Sequence, residues 1–339
     1  TISSLSNYTA VVGTQGGTLS GVTNLTCDKL YTMDVKTYIP NGATLNIQPG
    51  TVIKAADNSA SGPSFASALV ISRGGKIMAS GTEECPIVFT AAADPMDGSY
   101  GILNNGKWGG VVLLGKATNN LLLSPNGPFT AGAGNSLVAV ANGLGVVEGF
   151  ATSNVNDWYG ADLTSGESFV DNDNSGVMKY VSIRHSGAIL SVGSEINGLT
   201  LASVGNGTTL EHIEVISCGD DAIELFGGTV NMKWMSQLYG NDDMFDYDQG
   251  WSGKCQFLFG MKAPWSSTSS PATATVSVAS GSISTISVTN GGSGYTTAPT
   301  VVVAGGTGTG VVATATINST TGVVTAVSCN PCGTGFTNS

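Results

Sequence analysis

Short apolar runs recur along the chain, each closed by Gly, Asn, Asp or Ser. They include "TLNI" (44–47), "TVIKA" (51–55), "ALVIS" (68–72), "PIVFT" (86–90) and "GVVLLG" (110–115). After a looser stretch come "YVSIRHSG" (180–187), "LTLASV" (199–204), "HIEVIS" (212–217), "TVNMKW" (229–234) and "QFLF" (256–259). Runs this short, rich in Val, Ile and Thr, read as strands. Their punctuation by residues that tolerate the left-handed region fits tight corners. Centres such as Ile53, Ile71 and Val88 lie 18 and 17 residues apart, and Ile183, Thr200 and Glu214 lie 17 and 14 apart. A repeat near 20 residues is the mark of a solenoid, whose coils bury an apolar face only by stacking. The pattern therefore predicts an all-β chain, a right-handed parallel β-helix with about a dozen coils between residues 30 and 262. The competing architecture is a β-sandwich, which calls for hairpin turns such as the isolated "PNGA" at 40–43. Residues 116–178 fit neither pattern and read as long loops projecting from the solenoid.

The periodicity changes after Phe259. "APWSSTSSPATA" (263–274) is a Pro/Ser/Thr linker. Beyond it charge almost vanishes, and "GSGYTT" (292–297) returns as "GTGFTN" (333–338), 41 residues later. The expected organisation is a cap segment at 1–29, the β-helix at 30–262, the linker at 263–274 and a small β-rich repeat module at 275–339. The second copy of the repeat stops short of its following strand, so the chain is expected to end inside a repeat.

Composition narrows the function. The 339 residues carry a net charge of −11, with only 10% charged residues and 48 Gly. Few bases exclude nucleic-acid phosphates as a partner, and no apolar run approaches a membrane span. The chain starts at Thr1 without Met, which suits a removed leader. With an even count of six Cys, this favours a secreted or cell-surface protein, with Cys27, Cys85, Cys218 and Cys255 open to several pairings. "CNPC" is expected to close a local disulfide between Cys329 and Cys332, since a redox or zinc role needs a helix terminus or a second Cys pair.

Several long phrases, in order, resemble one family. They are "GATLNIQPGTVIKA", "ALVISRGGKIMASGTEECPIVFTA", "KWGGVVLLGKA", "DNDNSGVMKYVSIRHSG", "EINGLTLASVGNGTTLEHIEVISCGDDAIELFGGTVNMK" and "GNDDMFDYDQGWSGKCQF". Together they resemble secreted or outer-surface parallel β-helix proteins of Bacteroidota-type bacteria, a largely uncharacterised family. The resemblance covers roughly residues 30–262 and implies a fold and a location rather than a reaction. The low-charge "GGSGY…AP" segment resembles, more weakly, repeats of adhesins and tail fibres.

Two acidic stretches carry the candidate chemistry. "DNDNSG" (171–176) places Asp171, Asp173 and Ser175 at alternate positions before a Gly, the first half of a calcium loop. "GNDDMFDYDQG" (240–250) gathers Asp242, Asp243, Asp246 and Asp248, which could surround one Ca²⁺ or stand as solvated corner acids. Asp246 and Asp248 flank Tyr247 and would share a strand face. "SCGDDAIEL" (217–225) resembles the Gly-Asp-Asp phrase of polygalacturonase-type hydrolases, and Asp220–Asp221 lie 22 residues before Asp242–Asp243. The Gly-His-Gly and Arg-x-Lys phrases of those hydrolases are missing, and the chain is expected not to be an enzyme. Trp108, Trp158, Tyr159, Trp234, Tyr239, Tyr247 and Trp251 offer a sugar-stacking surface, with Trp158 and Tyr159 expected exposed on a loop and Trp234 and Trp251 expected to pack between coils. The expectation is an extracellular scaffold or adhesive protein, self-associating head to tail as a fibre subunit. Binding of cell-surface glycans, or a β-helix hydrolase or lyase, is the alternative.

Overall fold

A computed structural model describes residues 17–57, 66–121, 138–147, 149–191, 194–262, 272–293, 295, 298–303, 308–318 and 322–337. Most of the expected cap segment, the middle of the 116–178 insertion and nearly all of the linker lie outside the described residues. The chain divides into two compact units, Thr1–Ala263 and Pro264–Ser339.

The first unit is a right-handed parallel β-helix. One sheet stacks seven parallel strands: Gly17–Thr18, Thr37–Ile39, Leu69–Ile71, Val111–Leu114, Leu199–Ala202, Ile223–Phe226 and Phe245–Asp248. A second stacks Val22–Leu25, Thr44–Ile47, Lys76–Ser80, Gly176–Arg184, Thr209–Ile216, Asn231–Leu238 and Cys255–Met261. A third limb, Leu30–Met33, Val52–Ala55 and Ile87–Ala91, merges into the second half of Gly176–Arg184. Seven stacked strands make about seven coils, or about 30 Å along the axis, rather than the dozen expected.

The undisturbed coil is 22 residues long: Val22 pairs with Thr44, Thr209 with Asn231 and Ile223 with Phe245. The 17- and 18-residue spacings joined strands of different limbs, since Ile71 lies in the first sheet while Ile53 and Val88 lie in the third limb. Insertions lengthen other coils, the largest running from Ile77 to its register partner Gly176.

Alternation sorts the side chains. In the first sheet, Ile39, Ile71, Leu113, Leu201 and Leu225 stack rung on rung and belong to the buried core. The next positions, Val70, Val112 and Thr200, face outward and are nonetheless buried. Their cover is the insertion itself. Val138–Ala141, Leu144–Val146 and Trp158–Gly160 form a small antiparallel sheet, and Leu121, Val146, Val147, Phe150 and Tyr159 join Val112, Leu114, Ala202 and Phe226 in one apolar cluster. The described part of 116–178 is thus folded over the first sheet rather than projecting from it. Burying these rings at roughly 25 cal/mol per Å² gives the insertion a reason to stay down.

The corner between second and third limbs shows how sequence sets the path. Gly81–Pro86 bridges it in one coil, whereas the next coils turn on one residue inside a continuous strand. That residue is Tyr180, His212, Trp234 or Phe257, each with φ between 49° and 61°. A left-handed non-Gly residue costs about 1–2 kcal/mol. Ring stacking offsets it: Tyr180–His212, His212–Trp234 and Trp234–Phe257 have centroids 4.3, 4.6 and 5.7 Å apart.

The last coil carries no further strand on its outer edge among the described residues. Its core-column residue Tyr247 is 68% exposed and Leu258 is 42% exposed.

The second unit holds two antiparallel hairpins, Thr273–Ala279 with Ser282–Asn290 and Thr309–Asn318 with Val323–Thr334. They are tied reciprocally. Tyr295 N donates to Gly322 O at 3.0 Å, and Phe336 N donates to Gly281 O at 3.0 Å. Both pairs are 41 residues apart in sequence, matching the repeat. Cys329 and Cys332 are joined by a disulfide; Cys27, Cys85, Cys218 and Cys255 are free thiols.

Candidate functional site

Two successive coils turn into the first sheet through the same device, a polar corner followed by an Asp pair. Gly219-Asp220-Asp221 precedes Ile223–Phe226, and Asn241-Asp242-Asp243 precedes Phe245–Asp248. The 22-residue coil sets one pair directly over the other. Asp243 N donates to Asp221 Oδ1 at 2.8 Å, and Ala222 N donates to Asp243 O at 2.9 Å. Asp221 thus caps the corner above it, the structural task an Asp at such a position performs.

The outward column of the same strands adds to the acids. Thr200, Glu224 and Asp246 are register partners in three adjacent strands. One carboxylate oxygen from each of Asp221, Glu224 and Asp246 can be chosen so that all lie within 4.8 Å of one another, and the same holds for Asp220, Asp221 and Asp242. Asn197 Nδ2 donates to Glu224 Oε2.

Burial makes these acids unusual. Loss of water, followed by repulsion from Asp221 and Asp246, pushes the Glu224 carboxyl up to about 9. The same order of causes, burial and then repulsion from Asp220, Asp246 and Asp242, raises Asp221 to about 7 against the bond from Asp243 N. Around neutral pH the site therefore mixes protonated and ionised carboxyls. Such an arrangement can hold a divalent cation, or hold a proton ready for transfer.

Of the acids singled out in sequence, Asp242 and Asp246 fall in this cluster. Asp243 contributes its backbone. Asp248 shares the outward face with Asp246 and accepts from Gln249 N at 2.5 Å, outside both groups. The "DNDNSG" loop is occupied otherwise. Asp171 Oδ1 accepts from Thr118 N, and Asp173 Oδ2 accepts from Lys116 N, both at 3.0 Å. Ser175 is buried, with its N–H on Thr208 Oγ1. Asp171 and Asp173 thus tie the insertion's first strand end to the coil edge, and neither belongs to an acidic or thiol cluster among the described residues. Sequence reasoning passed over Glu224, Asn197 and Thr200. The signal was the 22-residue coil, which sets Glu224 beside Asp246.

The aromatic residues divide similarly. Trp108 and Tyr159 are fully buried. For Tyr159 this corrects the expected exposure, because its strand turns inward over the first sheet and its hydroxyl donates to Gln249 Oε1 at 2.8 Å. Trp158 is half-buried and donates Nε1 to Thr152 O. Trp234 stacks between His212 and Phe257 with Lys233 over its ring, so its faces are occupied by the protein itself. His212 is held in that stack, and His185 is buried against Asn104 O and Tyr100. Both imidazoles are therefore already engaged by other groups.

No helix among the described residues is long and apolar enough to cross a membrane. No curated protein and no solved structure matches the chain. One family model does, described as a pectate-lyase-like β-helix domain, over residues 17–327. That span runs through every stacked coil and into the second hairpin, and the chain belongs to the pectate-lyase-like β-helix domain family.

Proposed function

We propose that this β-helix is an extracellular scaffold that associates end to end with further copies of itself. The observation carrying the reading is the open last coil. Tyr247 continues the column Ile39–Ile71–Leu113–Leu201–Leu225 yet is 68% exposed, and Leu258 continues the column of Ile213 and Met235 yet is 42% exposed. Phe257 is 57% exposed and ends the ring stack with nothing stacked beyond it among the described residues. Unpaired strand edges carrying apolar side chains are templates for another strand. A contact between two different ends does not close on itself and propagates as a filament. The acidic, base-poor composition and the Cys329–Cys332 disulfide support an oxidising, extracellular setting.

The test is light scattering across a concentration series, with electron microscopy of the concentrated protein. Mass should grow with concentration, and Tyr247→Lys or Leu258→Lys should leave a folded monomer. A wild-type protein that stays monomeric at millimolar concentration overturns the reading, and binding to a glycan array would then decide for a glycan-binding module.

The acidic cluster favours a second reading, hydrolysis of an acidic or neutral polysaccharide. Its support is the pairing of protonated and ionised carboxyls at Asp221, Glu224 and Asp246. Release of reducing ends from polygalacturonate, lost in Asp221→Asn, would establish it. The expected result is no release.

A further inference from the structure

We infer that a hard divalent cation of the calcium class binds between the last two coils, held by Asp221, Glu224 and Asp246 with Asn197 and Thr200 completing its oxygen shell. The inference is independent of end-to-end association, because its readouts are ion binding and the stability of the monomer.

Three observations carry it. The first is distance. Two oxygens that share a calcium-sized ion at about 2.3–2.6 Å lie at most about 5 Å apart. One oxygen from each of Asp221, Glu224 and Asp246 meets that limit, all lying within 4.8 Å of one another.

The second is a pair of orphaned neutral oxygens. Asn197 Oδ1 and Thr200 Oγ1 have no hydrogen-bond partner among the described residues, though the two residues are only 3% and 1% exposed. Leaving such a group unmet costs about 1–3 kcal/mol. Both sit at the cluster: the Asn197 amide already touches Glu224 through Nδ2, and Thr200 is Glu224's register partner in the strand below. Turning that amide over would present Oδ1 toward the carboxylates, an arrangement stable only with positive charge between them.

The third is the choice of donors. Three carboxylates, an amide carbonyl and a hydroxyl are all hard oxygens, five in number, with room for water to reach the six to eight that Ca²⁺ takes. No thiol or imidazole belongs to either acidic group, so softer metals have no anchor here. The neighbouring trio Asp220, Asp221 and Asp242 lacks the buried neutral oxygens, and Asp242 is exposed. The ion is therefore placed on the Glu224 side of Asp221.

The test uses the full chain, stripped with EDTA and titrated with CaCl₂ by calorimetry, with thermal melts in parallel. One saturable event per chain is expected. The melting temperature should climb with the logarithm of Ca²⁺ beyond saturation, because the ion binds the folded state. Glu224→Gln and Asn197→Ala should each weaken binding about tenfold or more, while Asp242→Asn should change it less than about twofold. Melts in EDTA check that each variant folds, and Glu224→Gln should there be at least as stable as wild type. Absence of saturable binding at millimolar Ca²⁺ overturns the inference. So does binding that survives both Glu224→Gln and Asn197→Ala, or that is lost instead in Asp171→Ala or Asp242→Asn.

Discussion

Leu201 and Tyr247 occupy the same inward column of the first sheet, two coils apart, and truncating each to Ala separates a closed core from an open end. Leu201 is fully buried, with Leu113 one coil below and Leu225 one coil above in register. Its removal leaves a cavity walled on both sides by strands that cannot collapse independently. Leu→Ala at such a site costs about 3–5 kcal/mol. Tyr247 has Leu225 below it and no register partner above among the described residues. Its ring meets Trp251 at a centroid distance of 5.9 Å, worth about 0.5–1.5 kcal/mol. Tyr247→Ala should therefore cost about 1 kcal/mol in dilute monomer, against several for Leu201→Ala. Urea denaturation followed by circular dichroism gives both numbers, provided the slopes agree with wild type. Equal destabilisation by the two changes would refute the reasoning, because Tyr247 would then be covered in the monomer. It would also remove the observation on which end-to-end association rests.

Gly176→Ala should abolish soluble folded protein or cost more than about 3 kcal/mol, since Gly176 has φ +113° and an added Cβ would meet Ile77 O at 1.9 Å; expression level and melting temperature report it. Trp234→Ala should cost about 1–3 kcal/mol through loss of two stacked rings and the Lys233 cation 4.1 Å from the ring centroid, read by denaturation. Burial holds the His185 pKa below its ordinary 6.5, with Arg184 acting the same way against Asn104 O and Asp94. The unfolded chain binds that proton first as pH falls, so His185's contribution is present above about pH 6.5 and lost below it. Melts from pH 8 to 5 should show the loss, and His185→Asn, which tolerates the same left-handed backbone, should flatten it. Cys329 and Cys332 should resist alkylation until a reductant is added, whereas exposed Cys27 and Cys85 should react at once; mass spectrometry of alkylated peptides distinguishes them.

The fold class was readable because every coil must turn corners, and corner residues are conspicuous in sequence. The coil length was not, because one coil contains strands of two or three limbs that look alike. Ile53, Ile71 and Val88 are all buried β-branched centres, yet only Ile53 and Val88 belong to one limb. The candidate site suffered from the same ambiguity. Four Asp crowded within seven residues drew attention, but closeness along a strand sends alternate side chains to opposite faces. Closeness across coils mattered more. Glu224 sits in an ordinary strand phrase, "IELF", and becomes notable only when Asp246 is laid over it. Asn197 and Thr200 carry no charge and no motif, so only burial without a partner marks them. Tyr159 misled for a different reason: its surroundings read as loop, and the cluster that buries it is assembled from residues up to about a hundred positions away.

The corner at Tyr180, His212, Trp234 and Phe257 has a practical meaning for anyone wishing to modify the molecule. One coil spans it with the six residues Gly81–Pro86, and the next with Tyr180 alone, while strand pairing on both sides stays in step: Ile77 with Gly176 before the corner, Ile87 with Val181 after it. Chain length at that point is thus decoupled from the registers that hold the coils together. A foreign peptide grafted into the 81–86 bridge would be carried on the rim without disturbing the stack. In an assembly built from many copies, the same graft would repeat along the assembly, turning a spare corner into a regularly spaced display site.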